Sequence, residues 1–99
     1  MSELTPQEVK EISEQIDNVV IRVNDRLDKE MDSEYHKDVK ASLLLITESV
    51  KSAIGKVPPG VFAVTMMAFG TTLLRNSIKP REVDEFIADE VVVGSATRH

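Results

Sequence analysis

Hydrophobic residues recur at intervals of three and four positions along the first third of the chain. Between Pro6 and Met31 they form one stripe of Val9, Ile12, Ile16, Val19, Val20, Val23, Leu27 and Met31. Because an α-helix turns by about 100° per residue, this spacing places the stripe on one side of a helix. Thr5, Pro6 and Glu8 have the residue types of a capping box with proline in the first turn. The pattern therefore predicts a first helix from Pro6 to Met31.

A second stripe follows a break at Asp32-Ser33, which offers an N-cap and is compatible with either a turn or a kink. Its members are Tyr35, Val39, Leu43, Ile46, Val50 and Ile54, widened by Leu44 and Leu45. Gly55 is a favourable residue to end the helix. This predicts a second helix with a broad apolar face.

From Val57 to Leu74 the chain carries no charged residue. The pair Pro58-Pro59 ends the preceding helix and can open a new one, which we expect to reach about Ile78. Two adjacent sides of this helix are apolar, one with Phe62, Met66, Phe69 and Leu73 and the other with Ala63, Met67, Gly70, Leu74 and Ile78. We therefore expect a central helix with neighbours on at least two sides.

A short acidic helix is predicted from Arg81 to about Val91. We expect Val83, Phe86, Ile87 and Val91 on its inner face, and Glu82, Asp84, Glu85, Asp89 and Glu90 facing solvent. Residues 91–93 are all valine and could prolong the helix, pair as a strand or bind a partner. Residues 94–99 are predicted to be a flexible tail.

The predicted fold is all-α: a small bundle of three to four helices with a central apolar helix, in one domain spanning residues 1–93. We also expect a dimer, because a first helix of roughly 39 Å outruns a compact core with a radius of gyration near 13 Å. A second copy would cover the excess stripe. The alternative is a monomer whose first helix kinks near Asp25 or Asp32. The predicted dimer interface consists of Ile12, Ile16, Val19 and Val23, supported by Phe62 and Phe69.

Charge and composition narrow the classes of partner. The net charge is −5, distributed as −5 over residues 1–40, +3 over 41–79 and −3 over 80–99. An acidic surface repels phosphate backbones, so we expect no direct binding of nucleic acid. The 14 apolar or uncharged residues from Val61 to Leu74 fall short of the about 20 needed to span a bilayer. The first residues, Met1 to Leu4, do not form a signal peptide, so we expect a cytoplasmic protein.

Candidate chemistry is sparse. The chain has no cysteine, and its four glycines do not cluster into a phosphate-binding loop. Asp32 and His36 could lie one helical turn apart and share a metal ion, but the sequence supplies no third ligand, so we expect a surface histidine without metal. The carboxylates are expected to be solvated charges rather than an acid and base pair. We therefore predict neither an enzyme nor a bound cofactor.

These observations favour a non-enzymatic helical interaction module, an adaptor, regulator or inhibitor of another protein, that acts as a homodimer. Three alternatives remain open from sequence. The side of the third helix with Phe62, Met66 and Phe69 could bind a small apolar ligand, the acidic helices could mimic nucleic acid, or the uncharged helix could associate with a membrane.

Overall fold

Four α-helices follow one another in the computed structural model, which describes residues 4–32 and 34–96, with side chains described to residue 90. They are α1 (Pro6–Glu30), α2 (His36–Ala53), α3 (Pro59–Arg75) and α4 (Arg81–Ala96). No residue within the described ranges is in a β-strand. The predicted all-α fold class is confirmed.

The capping box at the start of α1 is confirmed. The backbone N–H of Glu8 donates to Oγ1 of Thr5 over 3.2 Å, and the backbone N–H of Thr5 donates to Oε1 of Glu8 over 3.1 Å. These two bonds satisfy N–H groups that have no partner within the helix. The helix then continues through Asp25 to Glu30, and Met31 is its C-cap. The predicted end is therefore correct to within one residue.

The break after α1 is a turn that reverses the chain. Nζ of Lys40 lies 2.7 Å from Oδ1 of Asp28, near the turn, and Lys51 pairs with Asp17 farther from it. These two pairs show that α1 and α2 run antiparallel. The predicted cap at Asp32 is wrong, because α2 begins only at His36 and its N-cap residue makes no side-chain capping bond. The turn is formed at Glu34 and Tyr35, and Ser33 lies outside the described residues.

The core lies where α1, α2 and α4 meet. Leu27 is fully buried, and Phe86 of α4 is inserted beside it. The members of this cluster are Val23, Leu27, Met31, Val39 and Phe86. The three valines prolong α4, which is one of the alternatives that the sequence left open, and the helix ends at Ala96 rather than near Val91. The flexibility of the tail at 94–99 stays a prediction, and its last residues, 97–99, lie outside the described part.

The helix α3, whose only charged residue is Arg75 at its end, contributes nothing to this core. All of its residues are described, and none of them is buried. The predicted central position is therefore not confirmed within a single chain: the core forms from α1, α2 and α4 without it. The helix also ends at Arg75 rather than Ile78, because Nδ2 of Asn76 and Oγ of Ser77 donate to the carbonyl oxygens of Thr72 and Leu73 over 2.8 and 2.5 Å.

Candidate protein-interaction surface

One apolar groove runs between α1 and α2, beyond the part of the hairpin that α4 covers. Its volume is about 330 Å³. Ile46 of α2 forms part of its wall. The other apolar residues that line it are Ile12, Ile16, Val19, Val20, Leu43 and Val50. Exposed apolar surface in a continuous groove is typical of a site that binds another molecule.

A second apolar groove lies between α2 and α3. Its volume is about 470 Å³, and Ile46 lines it as well. The apolar residues that α3 contributes are Phe62, Met66, Phe69, Gly70 and Leu73. Because Ile46 belongs to both grooves, they form one continuous surface across α1, α2 and α3. We call the residues lining these two grooves the apolar surface.

The helix α3 is the most exposed part of the apolar surface. Phe69 is 70% exposed and Leu73 is 69% exposed. Full burial of one such side chain stabilises a protein by about 1.5 to 3 kcal/mol. A helix that is apolar on most of its circumference is normally buried. The single chain therefore leaves a large favourable contribution unused at α3.

The polar side chains of α3 do not offset this exposure. Oγ1 of Thr65 donates to the carbonyl oxygen of Val61 over 2.8 Å, and Thr71 and Thr72 make the corresponding bonds to Met67 and Ala68 over 2.8 and 3.0 Å. Each hydroxyl is thus satisfied by its own helix and needs no water. Burying such a threonine costs less than burying an unpaired hydroxyl. The chemistry of α3 is therefore suited to an interior or an interface.

The predicted interface residues other than Val23 lie in the two grooves. Ile12, Ile16 and Val19 line the groove between α1 and α2. Phe62 and Phe69 line the groove between α2 and α3. Both sets therefore belong to the apolar surface.

Val23 differs from the other predicted interface residues. It is 4% exposed and belongs to the core cluster of the single chain. A partner bound to the neighbouring groove would lie next to Val23 rather than on it. That Val23 lies next to the interface stays a prediction.

A charged cluster joins α1 to α4 on another side of the hairpin. Arg22 Nη2 and Arg26 Nη1 donate to the two carboxylate oxygens of Glu90 over 2.7 and 2.6 Å. Arg26 also donates through Nε to Glu30 over 2.9 Å. The prediction that Glu90 faces solvent is wrong, since its side chain is only 10% exposed. The i, i+4 spacing of the two arginines on α1 was the available signal, but sequence alone does not identify their acidic partner.

These contacts shift the pKa values of the groups involved. Burial raises the pKa of the Glu90 carboxyl, but the hydrogen bonds from Arg22 and Arg26 outweigh burial, so the net pKa lies below its ordinary value. Hydrogen bonds from Arg26 to Glu30 and Glu90 raise the pKa of the arginine further above its ordinary value. Because the pKa of Glu90 is lowered and the pKa of Arg26 is raised, both groups stay charged at neutral pH. This arrangement attaches α4 to α1 rather than preparing a group for proton transfer.

His36 is paired with a different residue from the one the sequence suggested. Its Nε2 lies 3.0 Å from Oδ1 of Asp28, the same oxygen that Lys40 contacts. The hydrogen bond from Lys40, followed by that from His36, lowers the pKa of Asp28. Asp32 precedes the turn and is not on the same helix as His36. Among the described residues there is no group of three or more candidate ligands placed to hold a metal ion.

Comparison with protein-family models, with curated proteins and with solved structures finds no match for this chain. Its function must therefore be inferred from the surface itself. None of the helices that the structure describes combines the length and the apolar character needed to cross a bilayer.

Proposed function

We propose that this chain is a non-enzymatic helical protein-interaction module that acts as a homodimer and serves as an adaptor, regulator or inhibitor of another protein. The observation that carries the proposal is the helix α3, which has no charged residue before Arg75 at its end and no buried residue in the single chain. Apolar surface of this extent is a common mark of a protein interface. Apart from the buried Val23, the predicted interface residues on α1 and α3 line the two grooves of the apolar surface.

The titratable groups support a role in binding rather than catalysis. The pKa shifts of Glu8, Arg26, Asp28 and Glu90 have structural causes, a helix cap in the first and ion pairs in the other three. Catalytic acids and bases instead have pKa values that are moved toward the operating pH. The proposal places the protein in the cytoplasm and gives it no nucleic-acid partner, in line with its net charge of −5.

The oligomeric state tests the first half of the proposal. One chain has a mass of 11.0 kDa, so a homodimer has twice that mass in multi-angle light scattering. We expect the dimer mass at micromolar concentration and a shift toward the monomer on dilution. A mass that stays at the monomer value up to high micromolar concentration would contradict the homodimer.

Binding to another protein is tested with matched baits in an extract of the native host. Ile46→Asp adds a charge where the two grooves meet, whereas Ala41→Asp adds the same charge about 140° around α2. We expect the wild-type chain and Ala41→Asp to retain the same partner and Ile46→Asp to lose it. Equal retention by all three baits would show that the partner does not use the apolar surface.

A small apolar ligand is a second candidate, favoured by the groove between α1 and α2. Its volume of about 330 Å³ lies within the about 300 to 1,000 Å³ of known ligand sites. Native mass spectrometry after gentle purification would detect a retained molecule as a discrete added mass. A chain that carries no added mass, alone or in its complexes, would contradict this second candidate.

A further inference from the structure

The side chains between Val61 and Ile78 form an exposed apolar surface. Covering this surface with another molecule would stabilise the chain. Eight large apolar side chains in this stretch are more than a third exposed: Val61, Val64, Met66, Met67, Phe69, Leu73, Leu74 and Ile78. Burying one of them removes about 60 to 120 Å² from water. Together they offer several hundred Å², the same order as the about 800 Å² that each partner contributes to a standard interface.

We infer that α3 packs against α3 of a second copy of the chain, with the twofold axis passing next to Gly70. This inference rests on the proposed function, because it specifies how the homodimer forms. It assigns the axis to α3, whereas the α1 stripe of Ile12, Ile16 and Val19 would lie away from it.

The absence of charge on α3 before its last residue, Arg75, favours a second copy as the occupant. A twofold axis brings each residue near its own copy, so a charged residue beside the axis would face a like charge. No residue from Val57 to Leu74 is charged. The chain concentrates its acidic residues elsewhere, with a net charge of −5 over residues 1–40 and −3 over 80–99. Self-association through α3 therefore avoids repulsion in the interface, and the self-bonded threonines add no unpaired hydroxyl to it.

Gly70 is the point at which another helix can come closest. On the helix surface it lies between Phe69 and Leu73 on one side and Met67 and Leu74 on the other, all at least half exposed. A Cβ atom added at Gly70 would meet nothing within 4 Å in its own chain. The space beside Gly70 is thus open, and the four flanking side chains can pack on both sides of a helix that crosses there.

A bilayer fits α3 less well than a second copy does. At 1.5 Å per residue the helix is roughly 26 Å long, which is shorter than the about 30 Å of bilayer hydrocarbon. A helix lying in the membrane surface instead needs a strongly polar face, commonly rich in lysine and arginine. The least apolar strip of α3, with Thr65, Ala68 and Thr72, has no charged residue before Arg75.

The first test compares two leucine substitutions on the same helix. Gly70→Leu fills the proposed point of closest approach, whereas Ala68→Leu adds its side chain about 160° away around α3. We expect Gly70→Leu to raise the dimer dissociation constant about tenfold or more, and Ala68→Leu to leave it nearly unchanged. Circular dichroism should show the same helix content in both, since neither fold nor helix propensity is harmed at Gly70.

The second test maps the axis directly, because the chain has no cysteine of its own. Two cysteines form a disulfide when their Cα atoms are about 4.4 to 6.8 Å apart. We expect Gly70→Cys to form a covalent dimer rapidly under mild oxidation, and Ala68→Cys and Val19→Cys to do so slowly. A dimer that is insensitive to Gly70→Leu and is linked through Val19→Cys would overturn this inference and leave the proposed homodimer standing. A wild-type chain that is monomeric, including one that floats with phosphatidylcholine vesicles, would overturn both.

Discussion

Arg26 of α1 and Glu90 of α4 are 64 positions apart in sequence, yet Nη1 of Arg26 lies 2.6 Å from Oε1 of Glu90. The same guanidinium group stacks on Phe86, with its carbon 4.2 Å from the ring centroid. One arginine therefore makes both a polar and an apolar contact with α4. These contacts hold α4 on the hairpin of α1 and α2.

We expect Glu90→Gln to lower the free energy of unfolding by about 1 to 3 kcal/mol, because two arginines lose a charged acceptor that is largely shielded from water. Chemical denaturation with urea measures this change. Glu48→Gln is the matched control, since Glu48 is exposed on α2 and should tolerate the same substitution. Equal midpoints for both variants would show that the charged cluster does not stabilise α4.

The lowered pKa of Glu90 predicts a pH dependence of stability. In the folded chain the pKa of this carboxyl lies below its ordinary value of 4.5. Between the folded and unfolded pKa values the unfolded chain binds more protons, so stability increases with pH there. The contribution of Glu90 is complete above the unfolded pKa and is lost as pH falls through the folded one.

The variant Glu90→Gln isolates the contribution of Glu90 to the pH dependence of stability. Glu8 and Asp28 also have lowered pKa values, so the wild-type chain alone should lose stability in acid for several reasons. We therefore expect the difference in unfolding free energy between wild type and Glu90→Gln to shrink as pH falls from about 6 to about 3. A difference that is constant over this range would contradict the assignment.

Two phenylalanine substitutions separate the core from the apolar surface. Phe86→Ala should lower the free energy of unfolding by about 3 to 5 kcal/mol, because it leaves a cavity among buried side chains. Phe69 is 70% exposed in the single chain, so Phe69→Ala should lower the stability of the protein only if a partner covers this side chain. We expect the wild-type melting temperature to rise with protein concentration and this rise to become smaller in Phe69→Ala. A Phe69→Ala variant that melts like wild type at every concentration would argue against an interface on α3.

We expect His36→Ala to leave dimer mass and partner binding unchanged. Asp28 keeps its contact with Lys40 in this variant, so the turn between α1 and α2 retains an ion pair. Light scattering and the bait experiment measure both properties, with urea denaturation as the check on folding. Loss of partner binding in a variant that unfolds like wild type would reveal a functional role for the histidine.

Much of the local structure could be predicted because its determinants are close in sequence. The capping box joins Thr5 and Glu8, three positions apart, and the stripe of α1 repeats every three or four residues. The prediction was wrong where the local preference of a residue conflicted with the path of the chain between two helices. Asp32 has the right chemistry for a cap, but a turn at Glu34 and Tyr35 follows it, and the helix begins only at His36.

The role of the predicted interface residues stays a prediction, but the structure shows where they lie. Ile12, Ile16, Val19, Phe62 and Phe69 do line grooves that are open in the single chain. Periodicity alone could not show that Val23 is used in the core. It also could not identify Ile46 as the residue that joins the two grooves, since this depends on where α1 and α3 lie beside α2.

The sequence by itself determined the helices, because hydrophobic period, caps and prolines act over a few residues. Only the tertiary structure decided which apolar faces meet. Residues 57–74 have the composition of a core, yet the core formed around Leu27 and Phe86 from the other three helices. Burial is non-directional and roughly proportional to area, so composition states how much surface needs covering but not what covers it. Phe86 and the contact between Arg26 and Glu90 hold α4 at that place, whereas no residue of α3 is buried.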